Sequence, residues 1–157
     1  MNKFHLAQVN IAKMLGSFND PVMKPFFDNV ERMNAIADSS PGFVWRLKDE
    51  DKEEAAHLFK EDNLIINLSV WETPKDLFNY TYHSGHIEVF KRKKEWFSKL
   101  KMLHMAFWYI PEHTKPSLKE AYNRLMYINA HGETPYAFNF KNIFSAEDAL
   151  DYKPIIQ

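Results

Sequence analysis

The most constraining stretch of the chain is Leu64-Ile65-Ile66-Asn67-Leu68-Ser69-Val70-Trp71, whose residues sort by alternation into two sets. Leu64, Ile66, Leu68 and Val70 form one apolar face of a β-strand, and Ile65, Asn67, Ser69 and Trp71 form a second, mixed face. Such a mixed face, once buried, offers a ligand polar partners inside an apolar surround. Residues 4–11 make a first strand of similar kind, with Phe4, Leu6, Gln8 and Asn10 on one face that turns polar along its length.

Between these strands, Asn19-Asp20-Pro21 is a helix start, and apolar spacing runs through Met23, Phe26, Phe27, Val30, Met33 and Ala37. Pro25 lies too deep for one helix begun at Pro21, so a short first turn with a restart near Lys24, or a kink, is expected. Ser39-Ser40-Pro41-Gly42 breaks the helix before a second strand, Phe43 to Leu47. The charged residues 48–62 form a polar hairpin connection to which no chemistry is assigned. Thr73 caps a helix over 74–83 with Pro74 in its first turn, and Gly85 divides it from a second helical piece over 86–100. His104 to Ile110 is a fourth strand. Ser117 and Glu120 have capping-box spacing at the head of a helix ending at His131-Gly132, and Ala137 to Phe140 returns to the sheet. This succession is that of an α+β, ferredoxin-like fold, an antiparallel sheet with helices on one face, in a single domain over 1–157 with a C-terminal extension from about 141. The mixed faces of the first and third strands carry too much Trp, Phe and Leu to remain wet, and a second copy of the sheet is their simplest cover, which predicts a homodimer.

On a helical wheel, His86 falls in a sector with Val89, Phe90, Trp96, Phe97 and Leu100, with Lys93 beside it, while Glu88, Lys91, Arg92, Glu95 and Lys99 lie opposite. His86 is therefore expected to point inward, as a structural core histidine or a working one. A metal pair from His83 and His86 lacks a carboxylate at ligand spacing, because Glu88 lies on the outer side. The remaining histidines, His57, His104, His113 and His131, fall in loops or near element ends. The chain has no cysteine, which removes disulfides, thiolate nucleophiles and sulfur-ligated metal. Its four glycines supply no phosphate loop or dinucleotide fingerprint. A net charge of −1 and one basic run, Lys91 to Lys94, followed at once by Glu95, argue against nucleic acid. No apolar run reaches a membrane span and the first residues lack a signal-peptide core, so a cytoplasmic protein without a membrane partner is expected. Aromatic residues, 15% of the chain, suit a small apolar or aromatic ligand as well as a core.

Pro41-Gly42-Phe43-Val44-Trp45-Arg46, Ser69-Val70-Trp71-Glu72 and the stretch from Tyr82 to Phe97 resemble an uncharacterised bacterial domain-of-unknown-function family of the dimeric α+β barrel superfamily. Trp108, Pro111, His113, Arg124, Leu125, His131-Gly132 and Pro135 to Phe138 extend the resemblance over most of the chain. That superfamily includes antibiotic-biosynthesis-type monooxygenases and haem enzymes. His86-Ile87-Glu88-Val89 with Glu95-Trp96-Phe97 is similar to a helix of the haem-dependent spheroidene monooxygenase.

The inward histidine, the mixed strand face and the resemblance together leave three functional readings. In the first, a monooxygenase-type protein binds haem with His86 on the iron and Lys93 or Arg46 near a propionate. In the second, a cofactor-independent oxygenase or isomerase uses His86 as base, with Asn67, Ser69 or Trp71 as hydrogen-bond partners. In the third, the protein binds a small molecule or a partner without catalysis. For all three, the substrate pocket is assigned to Asn67, Ser69, Trp71, Phe90, Trp96, Phe97 and Trp108.

Overall fold

A computed structural model of the chain describes residues 3–48, 54–84, 86–100 and 102–155; the side chains at 54, 56, 86, 89 and 90 lie outside that description. The chain begins with strand β1 (Phe4–Met14), the central element. Helix α1 (Lys24–Ser39) follows a 3-10 turn, Pro21–Met23. Asp20 accepts the Val22 N–H and holds that turn, and Pro25 then falls in the first turn of α1, where its missing N–H costs nothing. The expected restart at Lys24 is thus what the chain does.

Strand β2 (Phe43–Arg46), helix α2 (Glu54–Phe59) and strand β3 (Leu64–Trp71) come next. Helix α3 (Pro74–His83) begins where Thr73 accepts the Asp76 N–H. After α4 (His86–Lys91), a 3-10 turn (Lys93–Glu95) leads into the short strand β4 (Phe97–Ser98). Strand β5 (Met105–Pro111), helix α5 (Leu118–His131) and helix α6 (Ala146–Asp151) complete the order.

β1 is hydrogen-bonded on both edges. It pairs with β3 from Leu6↔Trp71 to Lys13↔Leu64, and on its other edge with β5 from Phe4↔Pro111 to Asn10↔Met105, then with β4 at Lys13↔Ser98. β2 lies outside β3. All these pairings are antiparallel, and the spatial order β2-β3-β1-β5, with β4 continuing the β5 edge, is the ferredoxin-like split βαβ arrangement.

Alternation along β1 assigns the two sheet faces. Leu6 and its neighbours Trp71 and Phe107 pack with Ala37 of α1 and Leu77 of α3, the two crossover helices that share this face as the fold class requires. Ala7, Val9 and Ile11, with Ile66, Leu68, Val70 and Trp108, pack instead with Leu118, Ala121, Leu125 and Ile128 of α5 and Ala55 of α2. α5 is held by Ser117, which accepts the Glu120 N–H, and stops where Gly132 adopts a φ of 76°. Phe107 and Phe138 exchange backbone hydrogen bonds of 2.6 and 3.0 Å, which brings the C-terminal segment back to the sheet as the sequence suggests.

Three expectations change. The mixed faces of β1 and β3 are covered by α1 and α3 of the same chain, and the opposite face by α5, so burial of the sheet does not call for a second copy. The stretch 86–100 is not one helix but α4, a 3-10 turn and β4. Within the charged connection, 54–59 is a helix whose Ala55 is buried and whose Phe59 packs edge-on against Tyr122; Gly85 and residues 49–53 lie outside the described residues.

Leu125 is fully buried under the sheet. Leu125→Ala is expected to lower unfolding stability by about 3 kcal/mol, read as a reduced urea midpoint with an unchanged slope.

Candidate functional site

The side chains of Gln8, Asn10, Asn67 and Ser69 lie on the sheet face toward α1, where Gln8↔Ser69 and Asn10↔Asn67 are cross-strand pairs. They form one hydrogen-bonded chain. Asn67 Nδ2 donates to Asn10 Oδ1 (3.1 Å), Asn10 Nδ2 to Gln8 Oε1 (3.0 Å), and Gln8 Nε2 to Ser69 Oγ (2.8 Å). Ser69 Oγ also accepts the Trp71 indole N–H at 2.9 Å. The inner members Gln8, Ser69 and Trp71 are buried, whereas Asn67 is exposed although it sits on a strand interior to the sheet. β2 ends at Arg46, opposite Ser69, and the Leu47 N–H then donates to the Leu68 carbonyl at 2.8 Å, so among the described residues the pairing on that side of β3 stops short of Asn67.

This polar row separates two aromatic groups. At its inner end, Trp71 is stacked on Tyr80 (centroids 5.0 Å apart) and met edge-on by Phe43 (5.5 Å). Beyond the outer end, Met14, Met23 and Trp96 are buried with Phe26, Phe27, Ile65 and Phe97 around them. Arg46, the cross-strand partner of Ser69, forks onto Asp38 of α1 through Nε–Oδ1 (2.8 Å) and Nη2–Oδ2 (3.3 Å). A cleft of about 450 Å³ runs along α1 here, lined by Phe27, Val30, Glu31, Asn34, Asp38 and Arg46.

The sequence-predicted residues divide among several places. Arg46, Asn67, Ser69 and Trp71 come together on this face. Trp96 and Phe97 lie on the same face in the group around Met14, buried not by a helical stripe shared with His86 but by the turn that carries the chain into β4. Trp96 carries Arg92 over its ring at 4.7 Å. Trp108 belongs to the opposite face, packed under α5 with its indole N–H on Glu120 Oε1 (2.9 Å), so it cannot line the same cavity. Lys93 is exposed rather than inward, and its charge is felt at His104, whose imidazole is held below its ordinary pKa by partial burial first and by Lys93 second. The side chains of His86 and Phe90 lie outside the described residues. Among the described residues, no three of His, Asp and Glu are grouped as a metal site requires.

Gln8 and Asn10 were visible in the sequence as the polar end of a strand face, and only pairing with Asn67 and Ser69 gives them a part in the site. Tyr80 and Asp38 were missed. Each comes from a helix, and nothing local in the sequence says which strand a helical side chain will meet.

The polar row itself offers hydrogen bonds rather than acid–base groups. Carboxamides donate and accept hydrogen bonds without taking a proton at neutral pH. Asp38 is engaged by Arg46, and burial pushes the Tyr80 phenol up to about 12, with Arg46 opposing and Asp38 adding to the shift.

A family model described as Domain of unknown function (DUF3291) matches residues 5–153, nearly the whole chain. The chain belongs to this family. The match supports the sequence resemblance at the level of an uncharacterised domain family and carries no reaction with it. No curated protein and no solved structure matches this DUF3291 chain. No helix among the described residues is long and apolar enough to cross a membrane.

Tyr80 supplies a measurable signature of the buried end of the site. Its phenol ionises only near pH 12, against 10 for an ordinary tyrosine, so the unfolded state gains ionisation between those values and stability falls there as pH rises. Absorbance titration at the phenolate band should show a late-titrating component that Tyr80→Phe removes.

Proposed function

We propose that the chain is a small-molecule-binding protein, with a flat ligand seated in the cleft beside α1 and reaching past Arg46, which lines the cleft and pairs with Ser69, toward the exposed amide of Asn67 outside the cleft wall. The observation that carries this reading is the outer end of the hydrogen-bonded chain. Asn67 donates inward to Asn10, and its carbonyl oxygen remains at the exposed end without a partner among the described residues. A fixed polar group between aromatic walls suits orientation of a ligand that is otherwise held by apolar contact. Passive binding is favoured over catalysis because the polar row consists of amides and a hydroxyl, Asp38 is engaged by Arg46 and the Tyr80 phenol stays protonated, which leaves Glu31 of the cleft wall as the carboxylate to be tested for a chemical role.

The haem-dependent and cofactor-independent oxygenase readings rest on His86. Of the two cations assigned to a propionate, Lys93 is exposed and Arg46 is forked onto Asp38, so neither adds support.

Titration with Nile red, a neutral flat dye, tests the proposal. Saturable binding at one site per chain is expected. Ala35→Trp, which fills the cleft from an exposed position on its wall, should weaken it about tenfold, and Asn67→Leu roughly fivefold, the worth of one hydrogen bond. Dye affinity unchanged in Ala35→Trp would sink the cleft as the site. A parallel haem titration decides the rival: a saturable Soret band lost in His86→Ala would replace this reading with a haem protein.

A further inference from the structure

A second cavity, of about 240 Å³, lies away from the cleft, between the sheet end and the C-terminal segment. Phe4, Tyr109, Tyr136, Leu150 and Pro154 line it, and among the described residues Arg124 is the one charged group in its wall. Tyr109 cannot neutralise that charge, since its hydroxyl donates to the Phe144 carbonyl at 2.6 Å and burial raises its pKa.

The Arg124 guanidinium is only partly satisfied. Nη1 donates to the Tyr136 carbonyl at 2.8 Å, and the group lies over the Tyr136 ring at 3.7 Å from its centroid. Nη2 is 3.8 Å from Glu120 Oε1, too far for a hydrogen bond, and that oxygen already accepts the Trp108 indole N–H. Nε is buried with no hydrogen-bond partner among the described residues. An arginine side chain 19% exposed, with the Nε–Nη2 edge lacking an acceptor, is an expensive arrangement in a folded chain. That edge is the one a carboxylate engages side-on with two parallel hydrogen bonds.

We propose that this cavity is a binding site for a small monocarboxylate with an aromatic or branched apolar body, its carboxylate on Arg124 and its body against Tyr136, Leu150 and Pro154. The volume sets the size, since it falls below the range of drug-sized pockets and fits a single ring. The cover is built for access. α6 lies at the surface, with Leu150 65% exposed, and the segment after it is held by Tyr152, whose hydroxyl is 2.6 Å from that of Tyr127, and by the Ile155 N–H on the same Tyr127 oxygen. Glu120 limits the charge that can be accepted, which favours a single carboxylate over a phosphate or dicarboxylate.

The test is a calorimetric titration of the full chain with benzoate and with benzamide, its uncharged analogue. Benzoate should bind saturably at one per chain and benzamide about tenfold or more weaker. Arg124→Met should weaken benzoate by a similar factor without affecting benzamide. Because that change also removes the Tyr136 tether, Ala149→Trp provides a second variant. Ala149 lies on the surface helix α6 and lines the cavity, so the indole fills the site and leaves Arg124 in place. Loss of benzoate binding in both variants supports the proposal. Absence of saturable benzoate binding, equal binding of benzamide, or benzoate affinity unchanged by Ala149→Trp each overturns it. Nile red binding should be unaffected by Ala149→Trp, which separates failure here from failure of the cleft.

Discussion

The pairing of β1 with β3 is the constraint on which the rest of the molecule depends. Eight consecutive cross-strand pairs, from Leu6↔Trp71 to Lys13↔Leu64, fix which residues share a face, and β1 is bonded on its other edge as well. Slippage of β3 by one residue would send Trp71 under α5 and bring Ile66, Leu68 and Val70 beneath α1. With that register set, the positions of the helices follow. α1 and α3 cover the face carrying Leu6, Gln8 and Trp71, and α5 covers the face carrying Val9, Leu68 and Trp108.

The polar row on the first of these faces is the chief departure from an apolar core. Gln8 and Ser69 are buried, and each would be costly there without partners. Joined through Trp71, Asn10 and Asn67, each has a hydrogen-bond partner, and the row relays the fixed position of the Trp71 indole outward to an exposed amide. Rigid aromatic packing at Tyr80 and Phe43 is what keeps that indole in place.

Much of this organisation was legible where the signal is local. Asp20-Pro21, Thr73-Pro74 and Ser117 mark helix starts because a capping side chain reaches a backbone N–H only two or three residues ahead. Alternation in Leu64–Trp71 sorted its two faces correctly for the same reason. The stretch 86–100 misled because burial of Trp96 satisfies a 3.6-residue period by coincidence; its neighbours Met14 and Met23 come from far away in the chain. Trp108 shows a different limit. A strand's alternation separates its two faces, yet only pairing with Ala7 tells which face lies under α5. Even the cap at Ser117 was legible only in part, since Glu120 turns to the Trp108 indole instead of closing the capping box.

The row from Trp71 to Asn67 has a property that follows from its composition. An indole only donates, so Ser69 must accept from Trp71, but the three carboxamides beyond it can each turn by half a rotation. In one sense the hydrogen bonds run inward to Ser69, and Asn67 presents its carbonyl at the exposed end. In the other, the Ser69 hydroxyl donates to Gln8, every later bond reverses, and Asn67 shows its amino group, with the same atom spacings kept throughout. The fold therefore fixes where the exposed amide sits and leaves open whether it donates or accepts there, so any ligand of the kind proposed would be met at a set position by a group indifferent to polarity.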